Sequence, residues 1–124
     1  MIGEKYAKKH LQREGFSILH RNYANSRGEI DIIASKDKKL HFVEVKSVSH
    51  ETGEPGEHDE YSAFAPELRV NRRKRRALLS TISLYLMSNR VSPETYWQAD
   101  IVSVHMYKNN TLYRAEVLSD IVLI

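Results

Sequence analysis

Two charged residues, Glu44 and Lys46, interrupt the apolar run Phe42-Val43-Glu44-Val45-Lys46, and no other feature of the chain constrains its fold so tightly. The β-branched and aromatic residues between Leu40 and Val48 mark a strand. Side chains at i and i+2 share one face of a strand, so Phe42, Glu44 and Lys46 lie together while Val43 and Val45 take the other side. In a central strand the two charges would be partly buried, which costs free energy unless they are paired or bind an ion.

Asp31, inside Ile30-Asp31-Ile32-Ile33, is a second charge in an apolar strand. The polar turn Ser35-Lys36-Asp37-Lys38-Lys39 makes this strand the antiparallel neighbour of the third. A hairpin centred near residues 37 and 38 sets opposite each other residues whose numbers sum to 75, so Asp31 falls opposite Glu44. Two carboxylates placed so repel, and a divalent cation held by oxygen ligands relieves the repulsion. Magnesium or manganese is therefore expected, with Asp31 and Glu44 as ligands and the backbone carbonyl of Val45 as a further hard oxygen. Phosphodiester hydrolysis uses such an ion to polarise a phosphoryl oxygen and acidify an attacking water, and Lys46 is placed to position that water or to neutralise developing charge.

The rest of the chain frames this hairpin. Tyr6, Ala7, His10 and Leu11 recur at helical spacing from Gly3 to Glu14, and Gly15 ends the pattern. Strands are expected over 16–23 and 29–34, joined by the turn Ala-Asn-Ser-Arg-Gly, and over 40–48. Residues 49–67, with Gly53, Pro55, Gly56 and Pro66, lack a period and predict a long loop, a kind of segment that is often functional. Asn71 is an N-cap candidate for a second helix reaching about Asn89, whose stripe is Leu78, Leu79, Ile82, Tyr85 and Leu86. After Pro93, a strand over Trp97–Tyr107 and a hairpin partner over Thr111–Val117 follow. One domain over 1–124 is expected, since the chain is long enough for one core and too short for two.

A net charge of +3 hides a strong asymmetry. Residues 69–76 hold six of the nineteen Lys and Arg and no acid, leaving thirteen bases against sixteen acids elsewhere. Arg69, Arg72, Arg73, Lys74, Arg75 and Arg76 thus cluster at the start of the second helix, where cations oppose the helix dipole, and an anionic partner such as a nucleic-acid backbone accounts for them. Lys74 is a candidate to turn toward the site. There is no cysteine, which rules out disulfides and thiolate zinc sites. The histidines show no ligand spacing, no serine sits in a nucleophile elbow, and no glycine-rich phosphate loop is present. No apolar stretch approaches the ~18 residues of a membrane span, no signal peptide is evident, and a cytoplasmic location is expected.

Asp31 followed by Glu44-Val45-Lys46 resembles the PD-(D/E)XK motif of restriction-endonuclease-like nucleases, without its proline. Gly3-Glu4, Asn22-Tyr23, Arg27-Gly28-Glu29-Ile30-Asp31-Ile32-Ile33-Ala34, Phe42-Val43-Glu44-Val45-Lys46 and Val70-Asn71-Arg72-Arg73-Lys74 together resemble the YraN family of predicted endonucleases, from Gly3 to about Val104. The resemblance implies an α/β (α+β) fold with an α-β-β-β-α-β core, a mixed central sheet flanked by helices, similar to archaeal Holliday-junction resolvases. It also implies an acid from the first helix in the site, here Glu4, as a catalytic residue and metal ligand. Branched or single-stranded DNA is the implied substrate. Two other readings stay open: a non-catalytic nucleic-acid-binding module serving a helicase or recombination partner, and a structural or protein-interaction domain. A homodimer would suit a cut across two strands.

Overall fold

The computed structural model describes residues 2–50, 72–107 and 113–120. In chain order they form α1 (Ile2–Arg13), β1 (Ser17–Asn25), β2 (Gly28–Lys36), β3 (Lys39–His50), α2 (Arg72–Ser88), β4 (Trp97–Tyr107) and β5 (Tyr113–Leu118). The strands make a five-stranded sheet in the order β1-β2-β3-β4-β5. β3 and β4 run parallel, and the other neighbours are antiparallel. A parallel pair needs a crossover, and α2 lies within it. The architecture is thus a mixed sheet flanked by two helices. Most of the expected loop, residues 51–67, lies outside the described residues, as do Arg69 and the N-cap candidate Asn71; His50 still belongs to β3.

Local chemistry explains where the helices end. The amide of Phe16 donates to the Leu11 carbonyl at 3.0 Å and that of Gly15 to Gln12 at 3.1 Å. Gly15 has φ of 95°, and Phe16 packs on the cluster that contains Leu11, the hydrogen-bonding and contact pattern of a Schellman cap. α2 closes the same way: Val91 bonds to Leu86 at 3.0 Å and Arg90 to Met87 at 3.2 Å. There the left-handed position is filled by Arg90, at φ of 52°.

Each face of the sheet buries one helix. Ala7 and Leu11 of α1 pack on Ile32, Ala34, Val43, Val45, Val102 and Val104, whereas Ile82 and Tyr85 of α2 pack on Ile30, Ile33, Leu40, Phe42 and Ala99. Edge-to-face ring contacts of Tyr85 with Tyr23 at 5.1 Å and with Phe42 at 5.5 Å fix α2 laterally. β3 alternates as expected, with Val43 and Val45 under α1 and Phe42 under α2. β2 does not. Strict alternation would put Ile30 with Ile32 under α1, yet Ile30 belongs to the α2 side. The break falls at Asp31. On β1, Asn22 lies between Arg21, paired with Ile32, and Tyr23, paired with Ile30, and is therefore level with Asp31. Its φ of 52° is outside strand geometry.

Candidate functional site

β2 and β3 meet through a two-residue turn, Asp37-Lys38, whose φ values of 51° and 65° are both positive, as the mirror-image hairpin turn requires. The register then runs from Lys36↔Lys39 to Ile32↔Val43, every pair summing to 75. The ladder stops one pair short of Asp31 and Glu44. Instead, the Val45 amide donates to Asp31 Oδ2 at 2.7 Å. A side-chain carboxylate has replaced a main-chain acceptor, so the sheet opens and Asp31 is held at the opening. The sequence nominates the Val45 carbonyl as an oxygen ligand; the contact observed is made by its amide.

Burial raises the Asp31 pKa above its ordinary 3.8. The Val45 hydrogen bond works against this, the Glu44 charge adds to it, Lys74 opposes it and Glu29 adds slightly. Repulsion between the two carboxylates is therefore part of the site's electrostatics. Glu44 Oε1 meets Lys74 Nζ at 2.9 Å, so Lys74 does reach the site from the basic turn of α2. Lys46, half-buried, follows Glu44 two residues along the same strand and shares its face by alternation.

The position of α2 depends on close contacts with the β1–β2 turn. Asn25 Nδ2 donates to the Thr81 carbonyl at 3.2 Å and Arg27 Nη1 to that of Ser80 at 3.4 Å. A Cβ on Gly28 would come within 2.6 Å of Thr81 Oγ1, which itself donates to the Ala77 carbonyl at 2.8 Å. The result is a cleft of about 240 Å³ lined by Glu29, Asp31, Glu44, Lys74 and Thr81 among others. Arg72, Arg73 and Arg76 are exposed beside it and Arg75 is half-buried, with no acid in the first turn of α2.

Glu4 is not brought into this cleft. It is buried, 6% exposed, and lines a different one with Lys5, Lys8, Lys9, Arg21 and Asn22. The reason lies in the layers: α1 covers the Val43–Val45 face, whereas Glu44 meets α2 on the opposite face. Among the described residues, no group of three or more His, Cys, Asp or Glu is placed to hold a metal. Asp31 and Glu44 make a pair, and magnesium is commonly bound by one or two carboxylates together with substrate phosphates. Asp31 Oδ1 and Glu44 Oε2 are the oxygens not used in the bonds above.

Three features escaped sequence reasoning. The α1 lysines at i, i+3 and i+4 were readable as one stripe. The left-handed Asn22 had no sequence signal beyond the tolerance of Asn for that conformation. His41, set aside for want of a ligand spacing, is buried with its Nδ1 2.7 Å from Asp100 Oδ2. Asp100 Oδ1 also accepts from Gln98 Nε2 at 2.7 Å and from the Asp120 amide at 2.8 Å. Among the described residues, no helix is long and apolar enough to cross a membrane.

Residues 3–104 match the model of the uncharacterised protein family UPF0102. A UPF0102 protein of Campylobacter jejuni subsp. jejuni serotype O:23/36 (strain 81-176) is 34% identical over 119 residues, covering 96% of this chain and 91% of the relative. Another, from Campylobacter concisus (strain 13826), is 39% identical over 102 residues, 82% of this chain and 78% of the relative. Among solved structures, that of Pyrococcus furiosus SfsA in complex with Ca2+ aligns at a TM-score of 0.33 and 17% identity. The alignment covers 94% of this chain and spans 58% of that one. A likeness of that size says nothing about chemistry.

Proposed function

The chain belongs to the uncharacterised protein family UPF0102, and from the site it builds we propose that it is a magnesium- or manganese-dependent endonuclease hydrolysing phosphodiester bonds in DNA. The observation that carries this reading is the Asp31 carboxylate, held by the Val45 amide where the β2–β3 ladder ends, with Glu44 and Lys46 on the adjoining strand. The resemblance to PD-(D/E)XK nucleases supports the same assignment and favours branched or single-stranded DNA.

The donor set fits a hard cation: two carboxylates, a raised Asp31 pKa to which Glu44 contributes, and a neighbouring cleft open to a phosphate. Such an ion, when bound, would polarise the phosphoryl oxygen and acidify an attacking water. Asp31 and Glu44 would hold it. The Val45 amide occupies Asp31 Oδ2, which leaves Oδ1 as the oxygen available to such an ion. Lys46 would orient the water or offset the charge that builds on the phosphoryl oxygens. Lys74 neutralises Glu44 in the absence of metal and passes to a phosphate when substrate arrives. Arg72, Arg73, Arg75 and Arg76 would extend that phosphate contact, as would Arg69 by its place in the sequence, whereas Glu4 lies apart from the site in the cleft beside α1. A homodimer would match a cut across two strands, and the cytoplasm is the compartment this activity implies.

A second reading, a nucleic-acid-binding module serving a helicase or recombination partner, is favoured by one observation: Glu44 is already paired with Lys74. The two are separated by incubating the protein with junction, flap, single-stranded and duplex DNA, with and without Mn2+, beside Lys46→Ala. The endonuclease reading expects Mn2+-stimulated product that Lys46→Ala abolishes. Product that persists in EDTA and in the variant sinks it, and salt-sensitive binding without product establishes the module.

A further inference from the structure

A second cleft, of about 520 Å³, runs beside α1 and is lined by Glu4, Lys5, Lys8, Lys9, Arg21 and Asn22 among others. Its lysines recur at i, i+3 and i+4, so they lie on one side of the helix, and like charges at that spacing repel. Arg21 adds a fourth cation from β1. Against them stands one acid among the described lining residues, Glu4, 6% exposed, whose Oε1 is buried and has no hydrogen-bond partner among those residues. Four cations converging on one cleft, with a buried carboxylate oxygen left unsatisfied, form a site that an anion and its counter-ion would complete.

The cleft lies on the other face of the strands that carry the carboxylate site. A Cβ on Gly3 would run into Ser47 Oγ and come 4.0 Å from Val45 Cγ1, so the first turn of α1 sits on the strand segment that carries Glu44 and Lys46. On the other wall, Arg21 and Asn22 are level with Ile32 and Asp31 across the β1–β2 ladder. We propose that this cleft is a second phosphate-binding site, which carries the backbone of a nucleic-acid strand toward the opening between β2 and β3. Lys5 and Lys9 are separated by about 6 Å along the helix, nearly two of the ~3.4 Å axial steps between successive charges of a duplex strand, so the stripe can span neighbouring phosphates. A linear stripe of side-chain cations fits a polymer better than a free nucleotide, which is usually cradled by backbone amides. Glu4 opposes phosphate in metal-free solution, and a hydrated Mg2+ between the two turns that opposition into a bridge, since one carboxylate with a phosphate suffices for this ion. The proposal rests on the endonuclease reading only for the destination of the strand.

The test is binding of a fluorescein-labelled single-stranded oligonucleotide by the whole chain across a salt series in EDTA, so that no cleavage is required. The triple variant Lys5→Gln, Lys8→Gln, Lys9→Gln is expected to reduce the slope of log K against log salt by about 2, which amounts to tens-fold weaker binding near 0.15 M salt. The equal-charge control Arg13→Gln, Lys38→Gln, Lys39→Gln should lose less than half of that slope. Glu4→Gln should bind several-fold tighter than the parent in EDTA and lose that advantage in excess Mg2+. This opposite sign is one that a folding defect does not produce. A triple variant no weaker than the control, or a Glu4→Gln affinity equal to the parent in EDTA, overturns the proposal. A parent that binds but never cleaves sinks the endonuclease reading alone; normal binding by the triple variant beside an active parent sinks this cleft alone.

Discussion

Asp31 takes over a main-chain role, since its carboxylate accepts the amide that a regular ladder would give to a carbonyl. Asp31→Asn keeps an acceptor there and removes the charge, whereas Asp31→Ala leaves the Val45 amide without its partner. The alanine variant should therefore unfold at lower temperature, by about 1–3 kcal/mol of lost stability. The asparagine variant should behave in the opposite way. Burial raises the Asp31 pKa above 3.8 in the folded chain, so the native state holds this proton to higher pH than the unfolded state. Stability then falls as pH rises from 3.8 through the folded pKa, and the full penalty is present at neutral pH. Asp31→Asn should accordingly melt above the parent at neutral pH in EDTA, with a gap that closes toward pH 3.8, while its cleavage rate drops at least ~100-fold. Melting curves across that range, paired with a nuclease assay, check both. Lys74→Gln frees Glu44 from its ion pair; titration should show tighter Mn2+ binding and a salt slope for DNA lowered by about 1. The β2–β3 register that leads up to Asp31 and Glu44 was legible because turn length and a period of two suffice to fix it, although the ladder ends at Ile32↔Val43, one pair before the two carboxylates. The opening of the ladder was not, because nothing in the sequence marks which backbone bond is given up to the Asp31 carboxylate.

Among the elements, both helices and all five strands of the described residues were legible from spacing and punctuation, with shifts of one or two residues at their ends; the expected start of the last strand at Thr111 lies outside the described residues. Gly15 announced the close of α1. The end of α2 at Arg90 had no such signal, and a left-handed arginine is a cost that the cap tolerates. Arg90→Gly should raise stability by roughly 1 kcal/mol, read as a higher melting temperature. Gly28 tells the reverse story, because Thr81 Oγ1 is fixed by its own bond to Ala77 and cannot yield to a methyl group. Gly28→Ala should destabilise by about 1–3 kcal/mol. It should also lower DNA affinity, since α2 carries Lys74 and the exposed arginines, which a binding titration above the transition-free baseline would show. Which face Glu4 would occupy was beyond sequence reasoning: a helix residue has no layer until the sheet beneath it is known.

For the molecule as a whole, Asp100 joins parts that are far apart in the chain. Its two oxygens take His41 from β3, Gln98 from β4 and the Asp120 amide from beyond β5. Asp100→Ala should cost about 3–5 kcal/mol, since it strands buried donors, and chemical denaturation would measure it. The sheet order carries one more consequence. β1, β2 and β3 pair with their sequence neighbours through tight turns, but β3 and β4 join residues as distant as Leu40 and Trp97. Closing that long loop is slow, whereas hairpins close quickly. During folding, then, the strand pair that sets Asp31 beside Glu44 can form well before α2 swings Lys74 across to it. For that interval the nascent meander holds the two like charges without Lys74, so a divalent ion in the refolding buffer should act on the rate of folding and not only on the finished protein.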